Sequence, residues 1–349
     1  VFIHVMIQDG HGQRMSKSLG NGVDPRDIIH SHGADAMRFT LAQMSTSSQD
    51  VRMPVEMICP HSGQAFEPET ITTPAGHVVA APTQTSPADP SKTMVSAYGV
   101  AAGVVEPTEQ APLARNTSSK FDIGRNFANK LWNATRFTVR SLGPSDQAQT
   151  PAGPVAIAER PLADRWVLSR LATTVDELTA AADRYHFNVI ADTLYSVVWR
   201  DVCDWYLEAV KPTVGDDLDQ QVVLGHVFDV VMRIVHPVCP FVTEALWPHV
   251  SDVTRGDVAG IAVAPSEVLA RAAWPTFDPA LIDPEAEAAF ARVQSLVSAI
   301  RNLRGERNVP PRRKITLHAP PAVMALVDEA GGVVQTLAGL GEVHAWDGA

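Results

Sequence analysis

The chain has 349 residues, enough for about two or three domains, and with 45% of them hydrophobic it can fill a substantial core. A formal charge of -11 excludes a generally basic nucleic-acid coat, although local basic patches remain open. Three cysteines, Cys59, Cys203 and Cys239, lie far apart and are odd in number, which argues against a disulfide framework and fits a reducing cytoplasm. No signal peptide and no apolar run long enough to span a membrane is present. The sequence opens on Val1 inside an apolar run, without an initiator Met, and reads as a piece of a longer protein.

Residues 1–7 are strand-like, and Asp9-Gly10-His11-Gly12 follows as a turn. Asp24-Pro25 reads as N-cap plus first helical residue, and Gly33 as the stop of that helix. A second helix is expected over about 34–44, with Ala36, Phe39 and Leu41 available for packing. Residues 53–118 change character: nine prolines from Pro54 to Pro112, mixed with Thr, Ser, Ala and Gly, show no helical period. They read as a long linker or a weakly ordered insertion. Within them, Cys59-Pro60-His61 looks like half of a zinc knuckle, but no second Cys/His pair is near, and no metal site is expected.

Residues 119–250 turn helical. Phe127, Leu131 and Ala134 mark one face of a helix over 120–142. Leu162, Trp166, Leu171, Val175, Leu178 and Ala182 give a second at near-heptad spacing. Residues 187–210 give a third and 218–235 a fourth. Pro237 and Pro240 interrupt the ladder before a short helix over 241–250. Four or more helices with short joints read as a bundle. Residues 251–283 are loop-rich, a long helix runs over about 284–304, and the end is a small mixture of strands and helices.

Between the opening strand and the first helix lies Arg14-Met15-Ser16-Lys17-Ser18-Leu19-Gly20-Asn21. Lys17 is a compact ammonium suited to a triphosphate, and the Ser16 and Ser18 hydroxyls can donate to phosphate oxygens. From residue type alone the loop reads equally as a solvated turn. The string resembles the Lys-Met-Ser-Lys-Ser signature of class I aminoacyl-tRNA synthetases. Gly33-Ala34-Asp35-Ala36-Met37-Arg38-Phe39 is similar to the helix after that signature in the valine, isoleucine and leucine members. The resemblance implies that Lys17 stabilises the ATP phosphates during adenylate formation. Arg14, Ser16 and Ser18 would assist in binding, with a planar fork at Arg14 where the family carries a point charge.

Four further strings resemble the valine branch of that family. They are Gly124-Arg125-Asn126-Phe127-Ala128-Asn129-Lys130-Leu131-Trp132-Asn133-Ala134, Trp199-Arg200-Asp201-Val202-Cys203-Asp204-Trp205-Tyr206-Leu207-Glu208, His236-Pro237-Val238-Cys239-Pro240-Phe241-Val242-Thr243-Glu244-Ala245-Leu246-Trp247, and Ser298-Ala299-Ile300-Arg301-Asn302-Leu303-Arg304-Gly305-Glu306-Arg307-Asn308-Val309-Pro310-Pro311. On an α-helix Trp199, Cys203 and Tyr206 share one side, and Asp201, Trp205 and Glu208 another. The segment reads either as a core stripe with a salt-bridged flank, or as Arg200, Trp205 or Tyr206 offered to exposed bases. Arg301, Arg304 and Arg307 recur every third residue, followed by Arg312-Arg313-Lys314. They read either as a solvated helix end or as a footprint for a phosphate backbone.

The expected architecture is an α/β remnant of a Rossmann-like catalytic domain (1–52), a Pro-rich insertion (53–118), a mainly α anticodon-binding bundle (119–283), and a long helix with a small α+β piece (284–349). The resemblance implies a valine-specific, ATP- and Mg²⁺-dependent ligase acting on tRNA-Val, cytoplasmic and monomeric. An isoleucine-type enzyme and a non-catalytic tRNA-binding module remain as alternatives. The family's first nucleotide signature, amino-acid pocket and editing domain are not in this sequence, so the chain by itself is expected neither to activate valine nor to edit.

Overall fold

A computed structural model describes residues 6–46, 50–143 and 151–346. The chain divides into two compact units, one of Val1–Ala128 with Ala181–Asp192, the other of Asn129–Ala180 with Thr193–Ala349.

In the first unit, strand β1 (Ile7–Asp9) pairs in parallel with β2 (Val51–Met53). The expected strand over 1–7 lies largely outside the described residues. Between β1 and β2 run helices α1 (Pro25–His32) and α2 (Ala34–Met44). Asp24 caps α1 through the Arg26 amide, and Gly33, at φ 94°, turns the chain into α2 as glycine allows. Ile28, Met44, Met53 and Phe121 form a core against which Ile7, Met15 and Val51 pack.

The Pro-rich stretch is neither a linker nor weakly ordered. It carries seven short strands. Glu56–Ile58 stands between Ala65–Phe66 and Arg115–Thr117 in an antiparallel sheet, and two hairpins pair Thr70–Thr72 with Val78–Ala80 and Thr83–Thr85 with Thr93–Val95. A one-turn helix, Ala97–Ala101, follows. Met57, Cys59, Met94 and Ala114 make its own small core. Prolines sit at turns between strands of two or three residues, too short to display a period. Cys59 starts a tight turn closed by the Gly63 amide (2.8 Å), and His61 bonds the Thr93 carbonyl (2.8 Å). The half-knuckle is thus a hairpin turn.

Phe39 of α2 stacks on Phe127 at 4.6 Å. Beside that pair Gly124 permits a close approach: a Cβ there would fall 2.5 Å from the Ala36 carbonyl oxygen.

In the second unit the helices follow the expected bounds closely: Leu162–Asp183, Leu218–Val235, Pro240–Val253 and Pro284–Glu306. Leu218–Val235 is the centre, buried without interruption from Gln220 to Val235, as its all-round apolar sequence demands. Its few polar side chains are paired. Arg233 bonds Asp229 (Nε to Oδ1, 2.5 Å) and donates to the Ala264 and Ala273 carbonyls. It also lies 5.1 Å over the Trp247 ring.

The segment over 187–210 departs from a plain α-helix. Phe187–Tyr195 is α, Ser196–Tyr206 is π-helical, and Leu207–Val210 is α again. Bonds from i to i+5 widen the turn, and buried pairs recur at Val197/Val198, Val202/Cys203 and Tyr206/Leu207, every four to five residues. The expected α-helical faces therefore do not hold. Cys203 and Tyr206 are buried, while Trp199 is only half-buried. The Tyr206 hydroxyl donates to the fully buried Asp164 (2.9 Å), which also receives Arg160 (2.9 Å).

Burial pushes the Asp164 carboxyl up to about 6, against the opposing pull of Arg160 and the bond from Tyr206. A carboxyl raised on folding binds more protons folded than unfolded between its ordinary value and about 6. Its contribution to stability therefore falls as pH rises through that window, and is flat above it. All seven tryptophans belong to this unit, so their fluorescence reads its unfolding selectively. We expect the urea-midpoint difference between the parent and Asp164→Asn to change between pH 4 and 6.5 in the parent's disfavour, and to stay constant from 7 to 8.

The last strands, Ile315–Ala319 and Leu340–Ala345, pair in parallel, joined through helices Pro321–Glu329 and Val333–Ala338.

Candidate active-site loop and nucleic-acid interface

The signature loop is built around a buried carboxylate. Asp9, at the end of β1, accepts from the His11 amide (3.0 Å), the Gln13 amide (2.9 Å), the Gln13 side chain (2.8 Å) and Asn21 Nδ2 (2.8 Å). Burial alone would raise this carboxyl, but the bonds from Asn21, Gln13 and His11 outweigh it and hold Asp9 below the usual carboxylate range. Asn21 also accepts from the Ser16 amide (2.9 Å), so the two ends of the loop are tied to one point. Inside it, Ser16 Oγ meets Ser18 Oγ at 3.1 Å and receives the Leu19 amide at 3.2 Å. Met15 is tucked into the core below.

What remains at the surface is Arg14, Lys17 and Ser18, all exposed, with Ser16 half-buried. The sequence points to these side chains, and the structure presents two cations and a pair of hydroxyls on one anchored loop. Asp9, Gly20, Asn21, Glu56 and Asn116 line a cavity of about 500 Å³ beneath the loop. Lys17 is exposed and is not among its lining residues. Asp9 and Asn116 escape a reading by residue type: one is a turn aspartate, the other an asparagine in a Pro-rich stretch. Only the position of Asn21 inside the quoted string gives a signal.

In the bundle, Arg200 is exposed on the π-helical stretch. Trp205 is half-buried: its ring meets Phe290 edge-on at 6.3 Å, and Arg301 lies 5.7 Å over it. Phe290 in turn stacks on Trp166 at 3.9 Å. Trp205 is thus partly withdrawn into the core, with Arg301 on its outer side. Next to it Lys130 bonds Asp204 (2.7 Å) and covers Trp199 at 5.0 Å, and Tyr195 stacks on Trp199 at 5.3 Å.

Of the three arginines spaced by three, Arg304 has to be removed from the interface. It is buried, and its guanidinium donates to the carbonyls of Gly339 (3.1 Å), Pro310 (3.0 Å), Pro311 (3.3 Å) and Arg313 (2.9 Å). It clasps the basic loop to the end of helix Val333–Ala338. Arg301 donates to the Leu337 carbonyl (2.9 Å) yet stays exposed, and Arg307 is exposed beyond it. A cavity of about 440 Å³ is lined by Arg301, Arg304, Lys314 and Thr336.

Comparison with known proteins matches the two regions separately. Residues 1–54 match the model of class I tRNA synthetases of the I, L, M and V group, and residues 164–319 match the anticodon-binding domain of tRNA ligases. The chain thus matches two successive parts of a class I tRNA synthetase. The valine--tRNA ligase of Rhodopirellula baltica is 36% identical over 320 residues, 90% of this chain and 29% of that protein. The valine--tRNA ligases of Thermotoga maritima (32%, 91% of this chain, 28% of that protein) and Lactiplantibacillus plantarum (33%, 88% and 26%) are similar. The chain belongs to the valine--tRNA ligase family, and spans under a third of the length of these relatives. Among the described residues no helix is long and apolar enough to cross a membrane.

Proposed function

We propose that the protein is a valine--tRNA ligase, coupling ATP-dependent activation of valine to its transfer onto tRNA-Val, as a cytoplasmic monomer. The observation that carries this reading is identity of 30–36% to valine--tRNA ligases along about nine-tenths of the chain. It favours valine over an isoleucine-type enzyme or a non-catalytic tRNA-binding module. In this reading residues 1–52 close the nucleotide site, 53–118 are an insertion beside it, 119–283 bind the anticodon arm, and 284–349 extend that surface.

The chemistry asked of the loop is electrostatic. The valine carboxylate attacks the α-phosphorus, and negative charge moves onto the departing pyrophosphate. Lys17 meets that charge, Arg14 adds a second cation, and the Ser16 and Ser18 hydroxyls orient phosphate oxygens. Magnesium, when bound with ATP, would supply further positive charge to the triphosphate. Arg200, Trp205, Arg301 and Arg307 contact the tRNA, through phosphates and by stacking on an unpaired base.

The test is complementation. The full-length gene should rescue a strain depleted of its own valine enzyme, and the purified product should charge tRNA with valine but not isoleucine. Rescue of an isoleucine-enzyme depletion instead would overturn the assignment.

A further inference from the structure

We infer that Asn116 is a positioning residue for the signature loop, holding it in place from the insertion. The inference rests on the ligase reading above for its catalytic consequence, but not for its geometry.

The loop is braced from outside at three points. The Asn116 side chain, nine-tenths buried, donates both its hydrogens to the loop: to the Gly20 carbonyl at 2.8 Å and the Gly22 carbonyl at 2.7 Å. These carbonyls flank Asn21, the residue that ties the loop to Asp9. Gly20, at φ 57°, lies directly on helix Ala97–Ala101: a Cβ there would stand 2.2 Å from the Tyr98 amide nitrogen. Glycine is required twice over, by the left-handed backbone and by the contact. At the loop's entrance Gln13 makes a reciprocal pair with the Val78 backbone, donating to its carbonyl (2.7 Å) and accepting from its amide (2.8 Å).

All three braces come from residues 53–118. A lysine that must meet a developing charge gains from being held before the charge appears, because the cost of ordering it is met during folding. The insertion supplies that order. Asn116 is its most specific element, because a carboxylate of the same size cannot donate to two carbonyls.

The test uses Asn116→Asp and, from the loop's side, Gly20→Ala. Backbone hydrogen exchange on the chain should show amides of 16–22 exchanging about tenfold faster in both variants, with Glu56–Ile58 and the helix Leu218–Val235 unchanged. Unaltered loop exchange in both variants would overturn the brace. So would loss of protection spreading through the whole sheet in both, since Asn116 would then merely hold the insertion together. In the full-length enzyme, Asn116→Asp should lower kcat of valine-dependent pyrophosphate exchange about tenfold while leaving KM for valine within about twofold. A matching loss in tRNA affinity would mark a merely structural role and overturn the positioning claim. Absence of exchange activity in the parent enzyme would defeat the ligase reading, and the hydrogen-exchange result would still decide the brace.

Discussion

Lys17→Ala in the full-length enzyme should slow valine-dependent pyrophosphate exchange by about a hundredfold or more, the scale of losing one donor aimed at transition-state charge. The expectation follows from placement. The loop is tied together by Asp9, Asn21 and Ser16 and braced by Asn116, so the Lys17 side chain is not needed to hold it. Its removal should leave stability unchanged and act on the chemical step. Lys17→Arg should recover only part of the rate, because a broad planar fork cannot replace a compact charge on a flexible stem. Steady-state exchange with saturating ATP and valine separates the step from binding. An unchanged kcat in Lys17→Ala would remove this lysine from the reaction.

The largest effect on stability should come from Arg233→Met, with a loss of about 3–5 kcal/mol in the second unit. The Arg233 side chain is nearly inaccessible, and its partner Asp229 lies beside it one turn earlier on a wholly buried helix. Without the guanidinium a carboxylate remains in the interior, and the Ala264 and Ala273 carbonyls lose their donor. The double replacement Asp229→Leu with Arg233→Met should restore most of the loss, because it removes both charges together. Urea unfolding followed by tryptophan fluorescence gives both numbers. A single variant as stable as the parent would show that Asp229 tolerates its position without a counter-charge.

How much was legible in the sequence depends on length scale. Helices such as Leu162–Asp183 and Leu218–Val235 repeat their apolar pattern over many turns, and their bounds could be read directly. Strands of two or three residues, as at Ala65–Phe66, never complete a pattern, so the Pro-rich stretch looked shapeless. The faces assigned to Trp199, Cys203 and Tyr206 assumed α spacing, and nothing in the residue types announces a wider turn. Lys17 stands out as a candidate because it sits in a recognisable string. Arg304 was misread because its partners are four backbone carbonyls, which carry no signature in a sequence. Asn116 was invisible for the same reason: it bonds the carbonyls of Gly20 and Gly22, about a hundred positions away.

The π-helical run from Ser196 to Tyr206 also bears on how this chain should be compared with its kin. A π turn absorbs an extra residue, so removing one there would let part of the run return toward ordinary winding while the flanking helix keeps its register. A homologue one residue shorter in this run has to be matched by which aromatic reaches the interior, not by counting along the chain.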